Sequence, residues 1–169
     1  MKRLMLLRHA KSSWSHPSLA DFDRPLNERG LNAAPFMGEL MASRDLLPEL
    51  LVSSPARRAA HTAELVRESS GANIELKFDD RIYEASPYGL MQVIADLPDA
   101  YSTVMLVGHN PGFEGMIRLL TSEDESMPTA ALAVIDIDTD QWADVAAKTG
   151  SLAEVVRPRE EMGRKAAPQ

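Results

Sequence analysis

The chain of 169 residues contains no cysteine. This absence excludes a disulfide scaffold, a zinc site built from thiolates and a cysteine nucleophile. Basic residues are also in the minority, because the formal net charge at pH 7 is −7. Non-specific binding to nucleic acid usually needs a strongly basic face. We therefore expect no nucleic-acid partner.

Long apolar runs are missing as well. No stretch approaches the roughly 20 apolar residues that a membrane-spanning helix needs. The first apolar run, behind Lys2 and Arg3, is too short for a signal peptide and ends at Arg8. We expect a cytoplasmic protein without a membrane partner. The sequence also lacks low-complexity tracts and repeats, and 44% apolar with 25% charged residues is typical of a globular protein.

Short apolar runs alternate with segments of helical periodicity, which predicts an α/β fold. We expect a three-layer αβα sandwich whose mostly parallel central sheet ends in an antiparallel C-terminal hairpin. Strands are predicted at residues 2–8, 50–53, 74–78, 103–108, 131–138 and 151–156. One domain is expected over residues 1–158, and then a charged, frayed tail over residues 159–169.

The starts of the predicted helices carry capping signals. Asn27 is expected to cap the first helix, which either kinks at Pro35 or begins its regular part there. Ser54 precedes a proline and is expected to cap the second helix. Ser86 precedes another proline and is expected to cap the third.

Two buried strands run directly into a histidine. Arg8 and His9 end the first strand, and His109 comes directly after the strand at 103–108. A single histidine at a strand end is more often only a polar loop residue. However, open α/β sheets bind their ligands just beyond the carboxyl ends of parallel strands, and here two strands end in this way. We therefore predict that the two histidines meet in a functional site.

Arg58 lies in the first turn of the helix that is predicted after Ser54. An arginine at a helix N-terminus opposes the helix dipole, and a bound anion would explain its position. Together with Arg8 and the two histidines, it would form a site for a dianionic oxyanion. The adjacent Arg57 is expected to be a solvated neighbour.

A metal site is the competing interpretation. The two histidines with Asp21 or Asp23 would offer ligands for zinc or iron. The chain lacks the His-x-His and His-Glu-x-x-His spacings, however, and Arg8 and Arg58 would repel a cation. We therefore favour a site without metal.

Three segments resemble the motifs of a known family. Residues 7–12 resemble the Arg-His-Gly signature of the histidine phosphatase (phosphoglycerate-mutase-like) superfamily, residues 54–62 its second motif and residues 107–110 its third. The similarity extends from residue 1 to about residue 158. More narrowly, residues 8–12, 23–30, 83–86 and 108–112 resemble the SixA-type phosphohistidine phosphatases.

The resemblance implies a role for each candidate residue. His9 would be the nucleophile that takes the phosphoryl group onto its imidazole. Arg8 and Arg58 would hold the equatorial oxygens and neutralise their charge. His109 would donate a hydrogen bond to the same oxygens. No metal or other cofactor is expected.

Two further substrate contacts and a general acid are predicted from the same resemblance. Ser15 falls where many relatives carry a phosphate-contacting asparagine, and Asn110 comes after His109 in the third motif. Glu84, after the third strand, is the candidate general acid, although a surface carboxylate before a helix is the plainer interpretation. An imidazole leaving group has an ordinary pKa near ~6.5, so it can leave already protonated and depends less on such an acid.

The sequence therefore predicts a cofactor-independent phosphatase with a covalent phosphohistidine intermediate. The favoured substrate is phosphohistidine on a signalling protein. A small phosphomonoester is the first alternative. A non-catalytic module that binds phosphorylated ligands is the alternative from another class.

Overall fold

A computed structural model describes residues 1–166, and six strands of this part form one mixed sheet. The strands are β1 (Lys2–Arg8), β2 (Leu50–Ser53), β3 (Glu75–Phe78), β4 (Thr103–Gly108), β5 (Leu132–Ile137) and β6 (Gly150–Val156). The helices are α1 (Glu28–Ser43), α2 (Arg57–Ser70), α3 (Pro87–Ala95), α4 (Gly112–Thr121) and α5 (Pro158–Ala166).

The order of the strands across the sheet is β3-β2-β4-β1-β5-β6. The first four strands of the chain are mutually parallel, whereas β5 runs antiparallel to β1 and forms an antiparallel hairpin with β6. Arg8 pairs with Gly108 across β1 and β4, and Ser53 pairs with Val107 across β2 and β4. The carboxyl ends of the three central parallel strands are therefore level.

The two faces of the sheet carry separate apolar cores, which confirms the predicted three layers. Along β1, Leu4 and Leu6 point to the core that includes α3 and α4, and Met5 and Leu7 point to the core that includes α1 and α2. This alternation arises from the two-residue period of a strand. Because both faces are buried, β1 is apolar at every position from 4 to 7, as a strand inside a parallel sheet requires.

The capping predictions are confirmed at two of three helices. The side chains of Asn27 and Ser86 accept hydrogen bonds from the N–H groups of Gly30 and Gly89, at 3.0 and 3.1 Å. Helix α1 runs through Pro35. At Ser54 the prediction is wrong, because its hydroxyl contacts the ring of His109 and no side chain caps α2.

The C-terminal tail, which we expect to be frayed, begins with a helix. Its described part forms α5, which begins with Pro158 and carries two glutamates in its first turn, where the helix dipole favours them. Nη2 of Arg44, after α1, donates to Oε2 of Glu161 at 2.6 Å and joins α5 to the domain. Residues 167–169 lie outside the described residues. None of the described helices is long and apolar enough to cross a membrane.

Candidate active site

The four residues that are predicted to form the site lie together at the carboxyl edge of the sheet. Arg8 ends β1 level with the end of β4, so His9 and His109 come directly after neighbouring strand ends. Their ring centroids are 5.2 Å apart. Arg58 reaches them from the first turn of α2, where its Nη2 atom lies 3.5 Å from Nδ1 of His109. Both guanidinium groups are close enough to lower the pKa of each histidine.

His9 is buried, and its Nδ1 contacts the backbone. Its Nδ1 lies 2.7 Å from the carbonyl oxygen of Ala10. A carbonyl oxygen only accepts hydrogen bonds, so this contact assigns the ring proton to Nδ1. The lone pair of the neutral imidazole is therefore on Nε2, and that atom is available as a nucleophile.

Two contacts hold the backbone after His9. The hydroxyl of Thr62 donates to the carbonyl of Arg58 at 2.7 Å and accepts from the N–H of Ala10 at 3.0 Å. On the other side, a Cβ atom on Gly30 would lie only 2.2 Å from the carbonyl oxygen of Lys11, so α1 packs directly against this loop. The hydroxyl of Thr62 thus holds the loop after His9 on one side, and the close packing of α1 at Gly30 holds it on the other.

Ser54 binds His109 instead of capping α2. Its Oγ lies 2.8 Å from Nε2 of His109 and accepts from the N–H of Ala56 at 3.2 Å. This local turn competes with capping, and α2 begins two residues later than predicted, after Ala56. A guanidinium can only donate, so Nδ1 of His109 accepts from Arg58. The ring proton of His109 is therefore on Nε2, which donates to Oγ of Ser54.

Both histidines are neutral at pH 7. The pKa of His9 is lowered to about 3, chiefly by burial and also by the neighbouring charges of His109, Arg58 and Arg8, against the effect of the Ala10 carbonyl. Burial also lowers the pKa of His109 to about 4, with Arg58 as the next cause. His9 therefore keeps its free lone pair throughout the physiological range.

These shifts predict that acid destabilises the fold well before the carboxylates titrate. Between the folded pKa values and ~6.5, the unfolded chain binds protons that the folded chain excludes, so the free energy of unfolding falls as the pH falls. Each histidine is expected to contribute a loss of about 2 kcal/mol between pH 7 and pH 5. Urea unfolding at the two pH values measures this loss.

The matched control for that measurement is a histidine outside the site. His9→Gln is expected to remove about half of the pH dependence, whereas the same change at the exposed His16 is expected to leave it intact. Equal stability of the wild type at pH 7 and pH 5 would contradict the burial of two neutral histidines.

Asp21 also belongs to this cluster, although the sequence suggests it only as a metal ligand. Arg58 donates to its backbone carbonyl from Nη1 at 2.7 Å and to its Oδ2 from Nη2 at 3.0 Å. The Tyr83 hydroxyl donates to the same Oδ2 at 2.7 Å, and Arg24 donates to Oδ1 at 3.1 Å. The Tyr83 hydrogen bond is the largest cause that lowers the pKa of Asp21 to about 2, and the two arginines add to it. Asp21 is thus an ionised partner of Arg58.

The other arginine is held from the far side of the site. Nη1 of Arg8 donates to the carbonyl of Met127 at 3.0 Å, and Nδ2 of Asn110 donates to the same oxygen at 2.9 Å. Asn110 also donates to Oε2 of Glu114 at 2.9 Å. Asn110 is predicted as a substrate contact, but its amide N–H groups are used within the protein, where they bind Glu114 and the Met127 carbonyl beside Arg8. Burial lowers the pKa of Arg8, and its buried Nε has no acceptor among the described residues.

Glu84 and Ser15 are not joined to the cluster. Glu84 is exposed, has a left-handed φ of 57° and makes no hydrogen bond or ion pair within the described residues. Its negative charge contributes to the raised pKa of Tyr83, behind burial and Asp21. Ser15 is also exposed, and its hydroxyl lies 2.6 Å from that of Ser13. The predicted acid and the predicted serine contact thus lack the geometry that the four central residues share.

Across the part of the chain that the structure describes, no group of three or more His, Asp or Glu side chains is arranged to hold a metal ion. Asp21, one of the two carboxylates in the metal hypothesis, is bound to two arginines and a tyrosine. The donor set at this edge of the sheet therefore suits an anion better than a cation.

Comparison with known proteins shows that the chain is similar to one family. The model of the histidine phosphatase superfamily (branch 1) matches residues 4–92, just over half of the chain. A chloroplastic protein of Arabidopsis thaliana, itself uncharacterized, is 31% identical over 159 residues, which cover 88% of this chain and 72% of the relative.

Solved structures show the same similarity. The candidate phosphohistidine phosphatase SixA from Agrobacterium tumefaciens has a TM-score of 0.80 and 32% identity, over 93% of this chain and 98% of that chain. The corresponding protein from Nakamurella multipartitia has a TM-score of 0.79 and 26% identity, over 93% of this chain and 96% of that chain. The fold, the motifs and the arrangement at the sheet edge thus point to the same group of proteins.

Proposed function

The chain belongs to the histidine phosphatase superfamily, and we propose that it is a cofactor-independent phosphatase that works through a covalent phosphohistidine at His9. The observation that carries this proposal is the state of His9. Its imidazole is buried and neutral, its Nδ1 proton is held by the Ala10 carbonyl, and its lone pair is on Nε2 in a ring that two guanidinium groups lie close to.

In the first step, Nε2 of His9 forms a bond to phosphorus. The bond between phosphorus and the leaving group breaks, and its electron pair departs with the leaving group. Because the Ala10 carbonyl retains the Nδ1 proton, the phosphorylated ring is cationic and is itself a good leaving group. In the second step, water bonds to phosphorus, the electron pair of the P–N bond returns to Nε2, and the proton of the water is lost with the phosphate product.

The guanidinium groups supply the charge that phosphoryl transfer needs. Nη2 of Arg58 would exchange its bond to Oδ2 of Asp21 for a phosphoryl oxygen, while Nη1 stays on the backbone carbonyl of the same residue. The buried Nε of Arg8, without a protein acceptor in the described chain, would gain one. A bound dianion would also favour protonation of His109, whose Nδ1 would then donate to the same group.

Phosphohistidine on a protein is the substrate that this chemistry favours. Asp21 has a pKa of about 2 and is ionised at neutral pH, so it cannot protonate a leaving group. Glu84 is exposed and unpartnered within the described chain. An imidazole leaves at neutral pH without help, since its ordinary pKa is near ~6.5, whereas an alkoxide needs an acid. The similarity to SixA structures supports the same choice.

Glu84→Gln is accordingly expected to change kcat/KM for a phosphohistidine protein by less than about threefold. The same variant assayed on glycerol 2-phosphate is the control for an alkoxide leaving group. A loss of about a hundredfold or more on phosphohistidine would contradict the absence of a required acid. A large loss on the ester alone would point to the small phosphomonoester as the natural substrate.

The experiment that tests the proposed function compares two substrates side by side in the presence of EDTA. The wild type is expected to hydrolyse both a phosphohistidine protein and p-nitrophenyl phosphate, with higher kcat/KM on the former. Turnover of the small ester alone would overturn the phosphohistidine assignment. Turnover that EDTA abolishes would contradict catalysis without metal. Phosphate binding without any turnover would favour a binding module.

A further inference from the structure

A row of four aromatic rings leads from the floor of the site to its mouth. The ring centroids of His9 and His109 are 5.2 Å apart, those of His109 and Tyr83 are 5.6 Å apart, and those of Tyr83 and Phe22 are 5.2 Å apart. The last two pairs are edge-to-face, with interplanar angles of 74° and 86°. Exposure rises along the row, from 7% at His9 to 38% at Phe22.

In the proposed reaction the leaving group departs toward the open end of this row. In phosphoryl transfer the attacking and leaving atoms lie roughly in line on opposite sides of phosphorus. Because His9 attacks from the buried end, the leaving group lies on the side of the mouth. Tyr83 and Phe22 are the rings of the row at that end.

The position of both outer rings is tied to the phosphate-binding groups. Phe22 belongs to the short 3-10 turn Asp21–Asp23. The backbone carbonyl of Asp21 in that turn accepts from Nη1 of Arg58 at 2.7 Å, and its Oδ2 accepts the Tyr83 hydroxyl at 2.7 Å. The two rings are thus held at a set distance from the guanidinium that would bind the phosphoryl group.

Part of the Phe22 ring is open to a ligand, because this side chain is 38% exposed although it packs against Tyr83. Phe22 and Tyr83 meet edge-to-face, the geometry that aromatic pairs prefer, and a ring in the leaving group would pack against them in the same way.

We propose that Phe22 and Tyr83 form a leaving-group wall, which selects substrates whose phosphoryl group is attached to a planar ring. The imidazole of phosphohistidine is such a ring. The inference rests on the proposed function, because it requires transfer of the phosphoryl group to His9. It adds a specificity determinant that acts on the leaving group and not on the phosphoryl oxygens.

Two small substrates with the same bond type separate this effect from catalysis in general. N-phosphoimidazole and phosphoramidate both contain a P–N bond, but only the first has a ring as its leaving group. For each variant, the ratio of kcat/KM on the two substrates is compared with the wild-type ratio, so intrinsic reactivity cancels. Phe22→Leu and Tyr83→Leu are each expected to lower the ratio about threefold to tenfold, the range of a single aromatic pair.

Tyr88→Leu is the matched control, since this tyrosine is 74% exposed on α3 and lies outside the row of rings. It is expected to leave the ratio unchanged. An unchanged ratio in both Phe22→Leu and Tyr83→Leu, or an equal fall in Tyr88→Leu, would overturn the wall. If the wild type hydrolyses neither substrate, the proposed function itself fails and the inference fails with it. Turnover of both with an unchanged ratio overturns the wall alone.

Discussion

Replacement of His9 by alanine is expected to lower phosphatase turnover by at least about 10⁴-fold, because removal of a covalent nucleophile abolishes the only low-barrier path. The residual arginines and His109 would still bind the phosphoryl group. The Kd for inorganic phosphate is therefore expected to change by less than about tenfold. Steady-state kinetics and phosphate binding by calorimetry measure the two quantities on the same preparation.

The control for this variant is His16→Ala, which removes an exposed histidine from the loop after β1. It is expected to retain wild-type turnover. A folded His9→Ala protein that keeps more than about a hundredth of the activity would contradict nucleophilic catalysis by this residue. The free energy of unfolding shows whether the variant is folded. A folded His9→Ala protein is expected to be less sensitive to acid than the wild type, because it lacks one buried neutral histidine.

Replacement of Arg58 by alanine is expected to lower kcat/KM about 10³-fold, in the range for loss of a group that stabilises developing charge. Arg58 contacts both His109 and Asp21 and lies in the first turn of α2. Its loss removes a charged partner from the phosphoryl oxygens and leaves the Asp21 carboxylate to repel the substrate. The effect is therefore expected on KM and kcat together.

The adjacent arginine offers a matched control. Arg57 begins α2 but is exposed and makes no ion pair within the described residues. Arg57→Ala is expected to change kcat/KM by less than about threefold, because an exposed charge acts on the substrate only through screened solvent. Equal losses in the two variants would contradict a specific role for Arg58. Arg58→Lys is expected to recover only part of the loss, since lysine lacks the planar fork.

The central part of this site was predictable because it depends on strand ends. Buried parallel strands are visible as apolar runs, and the residues directly after such strands must lie at one edge of the sheet. Arg8, His9 and His109 could therefore be placed from the chain alone. The level register of β1, β2 and β4 brings these ends within contact distance.

The contacts of the loop after β1 could not be predicted in the same way. Asp21 and Tyr83 are 62 residues apart in the chain and meet through one hydrogen bond. Neither lies in a segment with a regular period, so no pattern indicates that they are neighbours. The resemblance to a family marks the region but does not show that Asp21 binds Arg58.

Ser54 shows how a local signal can be misread. A serine before a proline at a strand-to-helix junction is typical of an N-cap. In the structure the same hydroxyl is used in a turn and in the contact to His109. The tertiary contact therefore replaces the cap that local sequence favours. Asn110 is a similar case, because its amide holds Glu114 and Met127 beside Arg8.

The most direct test of covalent catalysis by His9 is the location of the phosphoryl group during turnover. Wild-type protein mixed with phosphoramidate is quenched in alkali, where phosphohistidine is stable, digested and analysed by mass spectrometry. The expected result is one phosphoryl group on the peptide that contains His9, and none in His9→Ala. Turnover by the wild type with no phosphoryl group on His9, or with the group on another residue, would contradict a covalent intermediate at this histidine.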